Sequence, residues 1–181
     1  MLVWSARLFY FPGPASLDAL AVQEGMSEYA VAVSWHREGA VFSDGRYSRG
    51  HIWQFDGGQV VEASASPHIV PLPMSIESAV DPEEAFIASL SSCHMLFFLS
   101  IACKRGFVVE DYVDDAVGVL EKNEDGVIAM TRVTLRPAIR FGGDKQPSSQ
   151  EFNDMHHESH EECFIAQSVK TEVRCEPSIA V

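Results

Sequence analysis

The chain is short of positive charge: 13 lysines and arginines stand against 26 aspartates and glutamates, a formal net charge of −13 over 181 residues. A surface with that balance repels phosphate backbones and anionic headgroups, so nucleic acid and membrane are excluded as partners. Small molecules and proteins remain. Cysteine is scarce too. Cys93, Cys103, Cys163 and Cys175 form no CxxC pair and no dense framework, which argues against a secreted disulfide scaffold. The longest apolar run, Ala85 to Ala102, is interrupted by serines and His94 and reads as a core helix, not a bilayer span. Repeats and low-complexity tracts are absent. A chain of this size buries roughly 70% of its unfolded surface, enough for one domain without staples.

Residues 1–25 differ from the rest of the chain. Met1 to Phe11 is apolar and aromatic, but Arg7 interrupts it and Pro12-Gly13-Pro14 breaks it, so a signal peptide is poorly supported. Gln23-Glu24-Gly25 is encodable by a purine-rich stretch resembling a bacterial ribosome-binding site, and a clean strand pattern starts just beyond Met26. The expectation is a single domain over 26–181, preceded by an extension, 1–25, that is not native. A native protein whose intact mass begins at Met1 would contradict this.

Tyr29, Val31, Val33 and Trp35 alternate over 28–35 as on a half-buried strand. Asp44-Gly45 and Asp56-Gly57-Gly58 are turn signals around strands expected over 47–55 and 59–65. Pro67, Pro71 and Pro73 make the next stretch a loop. Asp81 then suits an N-cap, Pro82 the first helical position and Glu84 a capping box, predicting a helix from Pro82 to about Lys104, stopped by Gly106. Two long strands, 112–121 and 127–141, are expected about a hairpin at Asn123-Glu124-Asp125-Gly126. Ser148 and Glu151 offer a second capping box for a helix reaching about Cys163, and 169–175 alternates as a last strand. Three strands, helix, two strands, helix, strand is an α+β order.

Cys93 lies within the first helix among Phe86, Leu90, Phe97 and Phe98. A thiol in such surroundings is normally inert, because low dielectric favours its neutral form. A reactive thiolate there requires a cation held nearby. Asp81-Pro82-Glu83-Glu84 with Cys93 ten positions after Glu83, Thr131-Arg132-Val133-Thr134-Leu135, and Glu162-Cys163 leading to Ser168-Val169-Lys170 together resemble the OsmC/Ohr family of thiol-dependent hydroperoxide reductases. The likeness covers most of the chain from about Glu28. It implies an OsmC-like fold of antiparallel sheets on two main helices, an intertwined homodimer, and a cytoplasmic peroxidase without cofactor. It also implies that Cys93 is the peroxidatic thiolate, Cys163 the resolving thiol, and Glu83 the anchor of an activating arginine. Arg49 matches the placement of that arginine best, ahead of Arg46 and Arg37. The Cys93–Cys163 disulfide would be reduced by an external dithiol, a lipoyl protein or thioredoxin-like partner.

The chemistry is coherent. A thiolate attacks the distal peroxide oxygen, a sulfenic acid forms, and a neighbouring thiol condenses with it. Arginine keeps its charge when partly buried, and a carboxylate fixes it by paired hydrogen bonds. Ten helical residues rise about 15 Å, so Glu83 and its arginine serve the cysteine of a second subunit if one straight helix carries both. Plainer readings stand beside these: Cys93 as a small core residue, Glu83 as a first-turn carboxylate, Arg49 on a surface hairpin, and the aromatic set as core. Cys103 and Cys175 read as structural. His156, His157, His160 and Cys163 are spaced to share a helix face and could hold zinc with Cys93 or His94; a solvated face beside Glu158, Glu161 and Glu162 is the simpler account, and no metal is expected. His94 and Phe164 depart from the better-known branches of the family. A non-catalytic binding module of the same fold is the other alternative.

Overall fold

In the computed structural model, residues 27–180 are described; the proposed extension, 1–25, lies outside them. The central helix, α1 (Pro82–Lys104), starts where its caps place it. The Asp81 carboxylate accepts the Glu84 N–H at 2.8 Å, and the Glu84 carboxylate accepts the Asp81 N–H at 3.3 Å. Gly106, at φ +76°, turns the chain out of the helix with a backbone angle that L side chains rarely adopt. A second capping box, between Ser148 and Glu151, opens α2 (Ser149–Glu162).

Ahead of α1, β1 (Val31–Ser34), β2 (His51–Phe55) and β3 (Val60–Ala63) form an antiparallel sheet in sequence order. An Ala63–Val80 bridge and the Ser64 N–H to Val80 carbonyl bond (3.0 Å) tie it to the approach to α1. After α1 the chain forms β4 (Val108–Asp114), β5 (Val117–Lys122), β6 (Ile128–Leu135) and β7 (Pro137–Gly142). A short helix, α3 (Phe164–Gln167), then succeeds α2, and β8 (Glu172–Cys175) and β9 (Ser178–Ile179) close the described chain.

The two long strands expected over 112–121 and 127–141 are each broken. Pro137 cannot donate to a ladder, and at the corner the Asp114 carboxylate accepts the Arg136 N–H at 2.6 Å. The hairpin therefore folds over itself. Its tip half, β5 with β6, takes β8 parallel to β6; its base half, β4 with β7, takes β9 parallel to β7. The tip turn lies at Asn123–Gly126, as its sequence predicts, with the Asn123 N–H bonded to the Val127 carbonyl at 2.8 Å. The fold is α+β.

This division explains why α1 is apolar on every side. Its first half lays Leu90, with Phe86 and Ile87, on Val133 and Leu135 of the β5-β6-β8 sheet. Its second half packs Phe98, Ile101 and Ala102 against Ile139 and Phe141 of β7 and Phe152 and Met155 of α2. By length and mean hydropathy α1 could cross a bilayer; here it packs against two sheets and α2 through part of its surface, with Leu96 left exposed. Gly118 of β5 lets strand and helix approach: a Cβ there would lie 2.6 Å from Ile87 Cδ1 and from Met130 Sδ. Leu90→Ala is expected to cost about 2–5 kcal/mol in urea unfolding, since it leaves a cavity where the helix meets the sheet. A loss below about 1 kcal/mol would contradict that packing.

Candidate functional site

Packing of α2 on the second half of α1 brings together two thiols seventy residues apart in sequence. Cys93 is half-buried near the middle of α1, and Cys163 is buried where α2 ends and α3 begins. Cys163 Sγ accepts the Ala166 N–H at 3.4 Å, capping α3. Burial pushes the Cys163 thiol up to about 11, and a hydrogen bond with the Cys93 side chain adds to the rise. The Cys93 side chain is thus close enough to Cys163 to act on its thiol. Beside them the exposed Phe164 meets Phe97 edge-on at 5.1 Å, and Leu96 is exposed one turn beyond Cys93. The apolar surface next to the thiols is therefore Leu96, Phe97 and Phe164. Leu90 and Phe98, expected near Cys93, are instead fully buried in the two cores.

Arg49 lies in the loop before β2. Its guanidinium sits 3.8 Å from the Tyr47 ring centroid and donates to the Gly45 carbonyl at 3.0 Å and to the Tyr47 carbonyl. The groove it lines runs from Val33 and Trp35 to Pro82, the residue before Glu83. Arg49 thus stands at the start of α1, and Glu83 is in its first turn. Cys93 is ten residues, about 15 Å, further along. Within one chain the structure joins Cys93 to Cys163, and places Arg49 by the helix start, without uniting the two groups. Arg46 and Arg37 sit in exposed turns; the Arg46 N–H is bonded to the Asp44 carboxylate at 2.9 Å, and Arg37 donates to the Ala40 carbonyl at 3.2 Å.

A second cluster lies one residue along α1. His94 Nε2 and His156 Nδ1 are 3.0 Å apart, and Cys175 Sγ, at the end of β8, lies 3.8 Å from the first and 3.7 Å from the second. Both imidazoles are buried. Burial depresses His94 to about 4 and His156 to about 3, with repulsion from His160 and from His94, respectively, adding to it. Burial likewise raises the Cys175 thiol to about 12, assisted by the carboxylates of Asp114 and Glu176. The solvated-face account of the histidines holds for His157, which is exposed and 3.4 Å from Glu161, but fails for His156. His156 shares the inward face of α2 with Phe152, Met155 and Ser159, a spacing visible in the sequence. Nothing local marks Cys175, which reaches the cluster through the parallel pairing of β8 with β6. Cys103 is exposed at the end of α1.

The OsmC family model, described as OsmC-like protein, matches residues 76–178. An OsmC-like protein of unknown function from Vibrio cholerae is similar in structure, with a TM-score of 0.83 and 55% identity, over 84% of this chain and 99% of that one. An OsmC-like protein from Mycoplasma pneumoniae shares the fold at 12% identity and TM-score 0.65, covering 86% of this chain and 99% of its own. So does an organic hydroperoxide resistance protein from Elizabethkingia anophelis, at 12% identity and TM-score 0.60, covering 87% and 98%. No curated protein matches the chain. The family match spans the elements from just before α1 to the start of β9, and the chain belongs to the OsmC-like family.

The buried groups set a pH profile for stability. The histidines stay neutral in the fold, so their contribution is complete above their unfolded value of about 6.5 and is lost as pH falls toward 4 and 3. The Cys163 and Cys175 thiols stay protonated in the fold, so their contribution is complete below the unfolded value of about 8.5 and is lost as pH rises toward 11 and 12. Urea midpoints at pH 5, 7.5 and 10 are expected to be highest at 7.5; a midpoint as high at 5 would contradict the burial of the imidazoles.

Proposed function

We propose that the protein is a thiol-dependent peroxidase that reduces organic hydroperoxides to alcohols. The observation that carries this is the closeness of Cys93, half-buried on α1, to the buried Cys163 thiol. The Cys93 thiolate attacks the distal oxygen of the hydroperoxide. The O–O bond breaks, the alkoxide leaves and takes up a proton as the alcohol, and Cys93 becomes a sulfenic acid. Cys163 then bonds to the Cys93 sulfur, water leaves with the hydroxyl, and a disulfide remains. An external dithiol, a lipoyl protein or a thioredoxin-like protein in the cytoplasm, returns both to thiols by exchange. Leu96, Phe97 and Phe164 provide an apolar contact for an organic chain that hydrogen peroxide does not possess.

The activating cation comes from a second copy. Arg49 lines the groove that reaches Pro82 at the start of α1, whereas Cys93 lies about 15 Å along the helix beyond Glu83. A twofold homodimer that swaps the ends of α1 supplies it, and the guanidinium then stabilises the thiolate and the departing oxygen. The sheet β1-β2-β3 supports such a partner, because Val31, Val33, Phe55 and Val60 leave apolar surface exposed on a sheet that packs mainly on itself. The organic hydroperoxide resistance protein of Elizabethkingia anophelis has the same fold, which agrees with this activity.

Stopped-flow oxidation with cumene hydroperoxide and with hydrogen peroxide tests the assignment. Cumene hydroperoxide is expected to react faster. Cys93→Ser should abolish turnover, Cys103→Ser should leave it intact, and Arg49→Ala or Glu83→Ala should slow it roughly 10²-fold or more. Turnover persisting in Cys93→Ser would overturn the proposal.

A further inference from the structure

The histidine–cysteine cluster has no part in the peroxide chemistry, yet it concentrates the polar imbalance of the core. Among the described residues, four buried side-chain nitrogen or oxygen atoms lack a hydrogen-bond partner: His94 Nδ1, His156 Nε2, Tyr112 Oη and Ser75 Oγ. The first two belong to the cluster. Tyr112 adjoins it, since its ring packs on Phe98, which stacks on His156 at 4.3 Å. The two imidazole planes lie within 6° of each other, and one proton serves the bond between the rings. In either tautomer the other ring N–H is then buried without an acceptor, which costs roughly 1–3 kcal/mol. Cys175 Sγ, at 3.7 and 3.8 Å, adds only weak contacts. Three donor atoms within 4.8 Å of one another, drawn from α1, α2 and β8, are poorly accounted for as ordinary core.

We propose that His94 Nε2, His156 Nδ1 and Cys175 Sγ form a zinc site. Zinc takes imidazole nitrogen at about 2.0–2.1 Å and thiolate sulfur at about 2.3 Å, so tetrahedral ligands stand about 3.4 Å apart for two nitrogens and about 3.5 Å for nitrogen and sulfur. The three separations here, 3.0, 3.7 and 3.8 Å, are each within about 0.4 Å of those values. Accommodating the ion needs the nitrogens to part slightly and each ring to turn about χ2 so that its lone pair meets the metal. Two imidazoles and one thiolate suit a borderline cation and do not suit magnesium or calcium, which take oxygen. The thiol gives up its proton as the Sγ–Zn bond forms. Three protein ligands leave a fourth position for water or another small ligand. The negative charge of Asp114, which acts on Cys175 and accepts from Ser91 Oγ at 2.5 Å, helps to offset the excess positive charge. The sequence pattern offers His156, His157, His160 and Cys163, with Cys93 or His94, as ligands; the fold instead brings His94 and His156 to Cys175.

A zinc ion here would clamp α1, α2 and β8 together one residue away from Cys93, while leaving both redox sulfurs free. The site stands independently of the peroxidase assignment, and its test reads Cys175 directly. The reduced full chain is titrated with Zn2+ and, as a spectroscopic substitute, Co2+; each cysteine is then alkylated with N-ethylmaleimide and quantified by peptide mass. One equivalent should bind, slow alkylation of Cys175 more than tenfold, and leave Cys103 unaffected. With Co2+, thiolate-to-cobalt absorption should appear in the wild type and in a Cys93→Ser/Cys163→Ser double variant, and be lost in Cys175→Ser. The protection measurement in the unmutated protein keeps the test decisive even where a variant folds poorly. Absence of stoichiometric zinc uptake, or protection falling on Cys93 and Cys163 in place of Cys175, would overturn the site.

Discussion

The packing of α2 against the second half of α1 is the constraint on which the chemistry of this protein depends. Phe98, Phe152 and Met155 are buried where the two helices meet, with Phe141 of β7 beside them. That contact fixes the end of α2 next to the middle of α1. Because Cys163 directly succeeds the last residue of α2, it is delivered to Cys93 without any special loop. Ordinary hydrophobic burial thus aligns the proposed redox pair. A change in the helix crossing would separate the sulfurs before it unfolded the sheets.

Successive residues on a helix point about 100° apart, and α1 uses that step to place two different chemistries side by side. Cys93 turns toward Cys163 and the surface, whereas His94 turns into the core toward His156 and Cys175. The first site is incomplete in one chain, since the arginine the sequence favours, Arg49, is held against Tyr47 at the far end of the helix. On the proposed mechanism, the Cys93 thiolate therefore takes its arginine from a second copy. The second site draws its donors from one chain and needs none. The proposed dimer-dependent redox centre and the proposed metal clamp can accordingly be separated by experiment.

Much of this is legible in the sequence where the signal is local. Asp81-Pro82 with Glu84, and Ser148 with Glu151, announce both helix starts through side chains three residues apart. The proposed Cys93–Cys163 pairing comes from family resemblance, because no local rule connects residues seventy apart. The break between β6 and β7 carries a readable signal in Pro137, which a single strand over 127–141 cannot accommodate. The burial of His156 is readable too, as it falls on the face of α2 that carries Phe152 and Met155. That of Cys175 is not: its place depends on the parallel pairing of Leu135 with Cys175, and such a long-range register leaves no trace in neighbouring residues.

Peptide mapping of the reduced protein after one equivalent of cumene hydroperoxide, with alkylation of remaining thiols, addresses the central claim most directly. The closeness of Cys93 to Cys163 predicts a single Cys93–Cys163 cross-linked peptide, with Cys103 and Cys175 recovered as alkylated thiols. Recovery of Cys93 as sulfinic acid beside an alkylated Cys163, or of no oxidised cysteine at all, would contradict it.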